Sequence, residues 1–165
     1  MNKQKTQSSL KWLWLTGLLL LIDQLSKFSV THSLSLYQSI EVLPFFSITY
    51  VNNPGAAFSF LADQSGWQRW LFTIIAAAAS IGFLIWLTKI PQHQRYLAVA
   101  VAMMLSGALG NLIDRMLFGH VIDFLDFHLG NYRWPAFNVA DTSIFLGVVF
   151  MLLDSFYAKS AENVA

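Results

Sequence analysis

The sequence predicts an all-α integral membrane protein with four transmembrane helices and a small extracytoplasmic β-element. Of its 165 residues, 56% are hydrophobic and only 12% are charged, which leaves too little polar surface to cover a water-soluble domain of this size. About 20 helical residues cross the hydrocarbon core of a bilayer, so the length allows about four spans with short connections. We therefore expect one membrane-embedded domain that takes in residues 1–165.

Four apolar stretches have the length of a membrane span. The first follows several lysines, so a cleaved signal peptide is an alternative interpretation of it. No small-x-small cleavage site follows this stretch, and three more apolar stretches do, which favours a retained span. The predicted spans are residues 12–30, 67–87, 96–117 and 139–157.

The two sides of the predicted spans differ in charge. Basic residues collect on the side that holds both termini and the short 89–95 loop, which the positive-inside rule makes cytoplasmic. The longer loops, 31–66 and 118–138, then lie on the opposite, extracytoplasmic side. Seven of the nine acidic residues, all but Asp154 and Glu162, fall on that outer side or at the outer ends of the spans. The bases on the cytoplasmic side are Lys3, Lys5, Lys11, Lys89, Arg95 and Lys159.

The 31–66 loop contains a short segment with the composition of a β-strand. Residues 45–51 are rich in β-branched and aromatic side chains, and the turn signal Asn53-Pro54-Gly55 follows them. We predict a small β-element here that lies on the helices.

The third span carries a ridge of small residues. Ala98, Ala102, Ser106 and Gly110 recur at four-residue spacing, which lets a neighbouring helix approach closely. Gly107 lies beside this ridge and leaves its own backbone open to approach. The ridge therefore predicts tight helix packing.

The first span contains a charged pair. An ionised aspartate at the bilayer centre costs about 2.5–3.5 kcal/mol, so a charge inside a span needs a partner or a function. Asp23 and Lys27 stand four residues apart on one helical face and are predicted to pair across a turn. A functional role is the alternative.

Polar residues also occur near the end of the third span. Asn111 and Asp114 share a helix face with Gly107 and offer hydrogen bonds to whatever approaches it. We predict that Asp114 orients Arg115 or Lys27, and direct participation in chemistry is the alternative.

Two further aspartates flank the start of the fourth span. Asp123 is set among apolar residues of the outer loop, and Asp141 follows Asn138 by three residues, a spacing that predicts a helix-capping box. Both carboxyl groups lie at the same interface among apolar neighbours, where two carboxylates cannot both ionise cheaply. A pair that shares one proton can deprotonate a water and polarise a carbonyl at once, which is the working unit of aspartic peptide hydrolysis.

Other chemistries are weaker on this sequence. The chain has no cysteine, which removes thiolate ligands and nucleophiles. Ser26 and Lys27 are adjacent, so they point apart on a helix and do not suit serine–lysine catalysis. Four loop residues could in principle bind zinc, but they lack a helical two-histidine spacing. We therefore expect no metal and no cofactor. These residues are His120, Asp123, Asp126 and His128.

Two other function classes stay open on the residues alone. A proton- or cation-coupled transporter would use Asp23, Asp114 and Asp141 as a relay, although such relays usually lie near the midplane. A structural subunit would use the same side chains to lock helices together. Nucleic acid is excluded as a partner because the net charge is only +1 and no basic stripe is present.

Five short blocks lie in order at the predicted outer membrane edge. They are Asp23-Gln24-Leu25-Ser26-Lys27, Asn53-Pro54-Gly55-Ala56-Ala57-Phe58, Gly107 to Arg115, Val121-Ile122-Asp123-Phe124 and Phe137-Asn138-Val139-Ala140-Asp141. In this order they resemble the bacterial lipoprotein signal peptidases, the type II signal peptidases of the cytoplasmic membrane. Two departures from that family's pattern are Ser106-Gly107, where a glycine pair is expected, and Pro54.

The resemblance implies an aspartic endopeptidase of the inner membrane that cleaves the signal peptide of a prolipoprotein just before its diacylglyceryl-modified cysteine. It also implies membrane lipids as partners, sensitivity to the cyclic peptide globomycin, an active site at the outer face, and a monomer. Phe58 and Phe60 of the 31–66 loop are expected to cover the bound substrate.

The resemblance also assigns roles to residues of this chain. Asp123 and Asp141 match the catalytic pair. Glu41, Asp63 and Asp126, which the resemblance does not assign, are interpreted as loop surface from their place in the outer loops. Residues implied to bind substrate or support the site are Asp23, Lys27, Asn53, Gly55, Asn111, Asp114, Arg115 and Asn138.

Overall fold

The computed structural model describes residues 9–55, 67–130 and 132–162, the last range by its backbone alone from residue 157. After a short 3₁₀ turn, Ser9–Trp12, the helices are α1 (Leu13–Ser33), α2 (Trp67–Lys89), α3 (Arg95–Leu117) and α4 (Val139–Glu162). The strands are β1 (Ser39–Leu43), β2 (Phe46–Asn53), β3 (Val121–Leu129) and β4 (Tyr132–Arg133).

Each of the four helices is long and apolar enough to cross a membrane. The predicted spans are confirmed, although α1 continues to Ser33 rather than ending at residue 30. At the end opposite the sheet, apolar side chains of α2 and α3 form a buried cluster. Its members are Leu87, Ile90, Ala98, Val101 and Met104.

The small-residue ridge makes α3 the central helix. Its alanines, glycines and Ser106 are buried against the other helices, and Thr16 of α1 donates a hydrogen bond to the Ala102 carbonyl at 2.9 Å. A Cβ atom on Gly107 would lie only 2.2 Å from the Ala140 carbonyl oxygen. The predicted close packing is therefore confirmed, and at Gly107 the approaching element is the start of α4.

An antiparallel sheet in the order β1-β2-β3-β4 lies beyond the ends of the helices. The predicted β-element of the 31–66 loop corresponds to β1 and β2. The connection at 118–138 contains a strand that the sequence did not predict, because Val121–Leu129 pairs with β2 over registers from Asn53↔Val121 to Phe46↔Phe127. Both faces of β3 are buried over its first four residues, so the strand lacks the alternation that marks a half-exposed strand.

The sheet is anchored to α1 by one of its faces. Phe124 of β3 packs with Val30 and Leu34 at the end of α1. Successive side chains of a strand point to opposite faces, so Asp123 points to the other face, toward the start of α4.

The loop-surface interpretation of Asp126 is wrong. This side chain is only 3% exposed, accepts a hydrogen bond from Thr49 Oγ1 at 2.8 Å and pairs with Arg133 of β4. Glu41 is exposed as predicted, and Asp63 lies outside the described residues. Asp126 therefore ties three strands of the sheet together.

Candidate active site

The start of α4 is held by a reciprocal cap. The Asn138 side-chain oxygen accepts the Asp141 backbone N–H at 2.9 Å, and the Asp141 carboxylate accepts the Asn138 backbone N–H at 3.3 Å. The predicted capping box is confirmed. One Asp141 oxygen also accepts a hydrogen bond from Asn111 of α3 at 2.7 Å, so the cap orients a carboxyl group that takes part in a larger site.

Asp123 faces that cap from β3. It is 2% exposed and accepts two amide hydrogen bonds, from Asn138 at 2.7 Å and from Asn53 of β2 at 2.8 Å. Burial, followed by the negative charge of Asp141, raises the pKa of Asp123 to about 7, against the two amide hydrogen bonds and the charge of Lys27, which lower it. The carboxyl group of Asp123 therefore keeps its proton to near neutral pH.

Asn138 connects the two carboxyl groups. Its backbone N–H donates to Asp141 and its side-chain amide donates to Asp123, while the same amide also donates to the Asn111 side-chain oxygen at 3.2 Å. Asn138 is fully buried. Two carboxyl groups from separate elements, β3 and α4, are thus held by one side chain and its backbone.

A buried ion cluster lies beside this pair. Lys27 Nζ is 2.8 Å from Asp23 and 2.9 Å from Asp114, so the predicted pairing of Asp23 with Lys27 is confirmed. Of the two partners predicted for Asp114, the structure selects Lys27. The side chains of all three are at most 2% exposed, and paired charges of this kind are the form in which a membrane protein buries ions.

Arg115, the other partner predicted for Asp114, contacts Asn111 and Phe72. Its guanidinium donates to the Asn111 carbonyl at 3.2 Å and lies over the Phe72 ring of α2, 5.6 Å from its centroid. The buried Nε atom has no hydrogen-bond partner among the residues that the structure describes. Asp141, Asp123 and Asp114 all attract the Arg115 charge.

Gly55 is connected to the site through Asn53. The Gly55 N–H donates to the Asn53 side-chain oxygen at 2.9 Å, which fixes the amide that holds Asp123. Gly55 has φ of 109°, a left-handed conformation that favours glycine, and an added Cβ would lie 2.3 Å from Phe72. The predicted turn is confirmed, while Phe58 and Phe60 lie outside the described residues.

Sequence reasoning missed some parts of the site. Gln24 donates to both Asp23 and Asp114 at 3.1 Å, and its place in the first block was the only sequence signal for it. The backbone N–H groups of Ala140 and Ile122 also donate to this cluster, and no side-chain pattern reveals such donors.

The structure does not bring together the four residues considered as zinc ligands, His120, Asp123, Asp126 and His128. Asp123 and Asp126 are three residues apart on β3 and point to opposite faces. His128 Nε2 is hydrogen-bonded to Ser47 Oγ at 3.1 Å. Among residues 9–55, 67–130 and 132–162, no group of three or more His, Asp or Glu side chains is placed to hold a metal ion.

The overall fold is that of a bacterial membrane enzyme. One such enzyme, solved by the in meso method at 2.3 Å resolution, matches with a TM-score of 0.80 and 32% identity, over 92% of this chain and 90% of that chain. A second, solved at 1.9 Å resolution, matches with a TM-score of 0.77 and 33% identity, over 87% of this chain and 90% of that one.

Sequence comparison narrows this class to one family. The family model of signal peptidase II matches residues 15–157. A lipoprotein signal peptidase of Alteromonas mediterranea is 52% identical, over 100% of this chain and 92% of that protein. A lipoprotein signal peptidase of Psychromonas ingrahamii is 53% identical, over 96% of this chain and 91% of that protein. The chain belongs to the signal peptidase II family, which confirms the predicted family and peptidase activity and gives no support to the transporter alternative.

Proposed function

We propose that Asp123 and Asp141 are the catalytic pair of this signal peptidase. The observation that carries the proposal is Asn138, which donates to both carboxyl groups at once. Two carboxyl groups that share a dry site hold one proton between them, because the charge of one disfavours ionisation of the other. Charge attraction to Arg115 balances the negative charge that the pair retains.

The pair then acts as base and acid in turn. The ionised carboxylate takes a proton from a water whose oxygen attacks the scissile carbonyl carbon, while the protonated carboxyl donates its proton to the carbonyl oxygen. The resulting gem-diol collapses when the now protonated carboxyl donates its proton to the leaving nitrogen, the C–N bond breaks, and the other carboxylate takes a proton from one hydroxyl, which restores the singly protonated pair. The products are a carboxylic acid on the signal peptide and a free amine on the mature chain.

The substrate in this proposal is a prolipoprotein whose cysteine already carries diacylglycerol. Its acyl chains stay in the bilayer, so the scissile bond just before the cysteine lies at the interface. The sheet, Asp123 and the N-terminus of α4 lie together at one end of the helices, opposite Lys11, Lys89 and Arg95. By the positive-inside rule the end with the catalytic pair is periplasmic and both termini are cytoplasmic. The membrane in this proposal is the inner membrane.

Other residues hold substrate or shape the site in this proposal. The buried Arg115 Nε, which has no partner within the described part of the chain, donates to a substrate carbonyl in this proposal, because a buried donor is costly until it is bound. Asn53 holds Asp123 from the end of β2 and is itself held by the Gly55 N–H. Asn111 of α3 holds Asp141, and Asn138, just before α4, holds both carboxyl groups. In this proposal globomycin binds between the two aspartates. Membrane lipids surround the spans, and the enzyme acts as a monomer.

The lipid requirement is tested by comparing two forms of one precursor. We expect the diacylglyceryl-modified precursor to be cleaved at least about 10²-fold faster at the same enzyme concentration, since anchored chains place the bond at the site. The measurement is release of signal peptide, with mass spectrometry of the new termini. Equal rates for the lipidated and unlipidated forms would refute the proposed substrate.

The rate of cleavage is expected to depend on the proton that the pair shares. Asp123 has a raised pKa of about 7, so the singly protonated pair is present below pH 7 and is lost as the pH rises through that value. The alkaline limb of kcat/KM should therefore have an apparent pKa of about 7. Asn53→Ala removes a hydrogen bond that lowers the pKa of Asp123, so its alkaline limb should lie at higher pH. An alkaline limb that stays at the wild-type pH in Asn53→Ala would contradict the assignment of this limb to Asp123.

A further inference from the structure

The ion cluster beside the catalytic pair has four members, Asp23, Gln24, Lys27 and Asp114, here called the Lys27 cluster. Lys27 contacts both carboxylates, and the Gln24 amide donates to the same two carboxylates at 3.1 Å each. The carboxylates are therefore joined twice, once by a cation and once by a neutral donor. Two buried carboxylates would otherwise repel each other.

Each carboxylate of the Lys27 cluster also accepts one backbone N–H from another element. Asp23 accepts the N–H of Ala140 at 2.8 Å, and Asp114 accepts the N–H of Ile122 at 3.1 Å. Ala140 directly precedes Asp141, and Ile122 directly precedes Asp123. The two backbone contacts of the cluster thus fall on the residues that directly precede the proposed catalytic residues.

We propose that the Lys27 cluster is a spacer that sets the distance between Asp123 and Asp141, with Gln24 and Lys27 as positioning residues. This inference rests on the proposed catalytic role of the two aspartates. Asp141 belongs to α4 and Asp123 to β3, so their separation depends on what joins these elements. The cluster, carried by α1 and α3, joins them by charge-assisted hydrogen bonds, which are short and directional.

Lys27 also reaches the catalytic pair through a third contact. Its ammonium group lies 3.4 Å from the Asn111 side-chain oxygen, and the Asn111 amide donates to Asp141. The three donors of Lys27 thus have three acceptors. An ammonium with every donor engaged has little freedom to move, which suits a spacer.

The charge of Lys27 gives the spacer a measurable signature. Asp141 raises the pKa of Asp123 and Lys27 lowers it, and the charge of Arg115 also interacts with Asp123. Removing the Lys27 charge should therefore move the alkaline limb of kcat/KM to higher pH. A variant that only loses packing around Lys27 would keep the alkaline limb at the wild-type pH.

Two variants and one matched control test the spacer. Gln24→Met removes the neutral bridge without a change of charge, and Lys27→Met/Asp114→Asn removes the cation while conserving the net charge of the cluster. Asp126→Asn is the control, because Asp126 is a buried carboxylate on the same strand as Asp123 but on the opposite face, and it pairs with the exposed Arg133 of β4. kcat, KM and the pH profile are measured in detergent with the lipidated precursor.

We expect kcat to fall about 10-fold in Gln24→Met and about 10²-fold in the double variant, with KM nearly unchanged, because misplacement of reacting groups lowers kcat. The apparent pKa of the alkaline limb of kcat/KM should rise only in the double variant. Asp126→Asn should lower thermal stability and leave kcat and the limb unchanged.

Wild-type kcat in Gln24→Met would overturn the spacer, and this variant decides the matter if the double variant does not fold. An equal fall of kcat in Asp126→Asn would also overturn it, since the effect would then be general destabilisation. Failure of the catalytic assignment is distinguished by Asp123→Asn, which is active only if that assignment is wrong.

Discussion

Asp123→Asn and Asp141→Asn should each reduce cleavage of a diacylglyceryl-modified precursor by roughly 10³-fold or more. General acid and base catalysis contributes about 10²–10⁴-fold, and an amide can neither donate nor accept the shared proton. Asparagine keeps the size of the side chain and the hydrogen-bond acceptor for Asn138, so the fold should persist. The measurement is single-turnover cleavage, followed by mass spectrometry.

Folding of the two variants is checked by thermal unfolding and by globomycin binding. We expect both variants to unfold near the wild-type temperature and to bind globomycin. A purely structural role for these carboxyl groups would instead lower the yield of folded protein along with activity. Full activity in either folded variant would eliminate that aspartate from the chemistry.

Gly107→Ala should disturb both folding and catalysis. A Cβ atom at this position would lie 2.2 Å from the Ala140 carbonyl oxygen and 2.6 Å from Ile144, so the start of α4 must move. Overpacking of a core typically costs about 1–3 kcal/mol. The displacement also moves Asp141, and a misplacement of about 1 Å costs roughly 10²-fold in rate. Thermal unfolding and kcat measure the two effects.

Two other glycines provide controls for this substitution. Gly147→Ala introduces a similar clash between α3 and α4, 2.7 Å from the Ala100 carbonyl, but away from the catalytic pair, so it should lower stability with a much smaller effect on kcat. Gly82→Ala meets nothing within 4 Å and should change neither. A Gly107→Ala enzyme with wild-type kcat would show that α4 does not position Asp141 as proposed.

Sequence information was sufficient for the helices and for the main polar contacts within them. Length and hydropathy determine a span because the bilayer accepts few other structures. The pairing of Asp23 with Lys27 follows from their separation of four residues, and the cap between Asn138 and Asp141 from a separation of three. These contacts are local, so a pattern in the chain predicts them.

Contacts between distant segments were not predictable in the same way. β3 has no alternating pattern at its start because both of its faces are buried, and its pairing with β2 joins segments that are far apart in sequence. Asp126 resembled a surface residue because its partner, Thr49, lies on another strand. The contacts of the Lys27 cluster with β3 and α4 use backbone N–H groups, which every residue type except proline provides.

The central claim, that Asp123 and Asp141 act as one unit, is tested most directly by comparing Asp123→Asn, Asp141→Asn and the double variant in single-turnover cleavage. Residues that act together show non-additive losses. We expect the residual rates of the three folded enzymes to agree within a few-fold. A single variant that cleaves about 10²-fold faster than the double variant would contradict the claim, because one carboxyl group would then support catalysis alone.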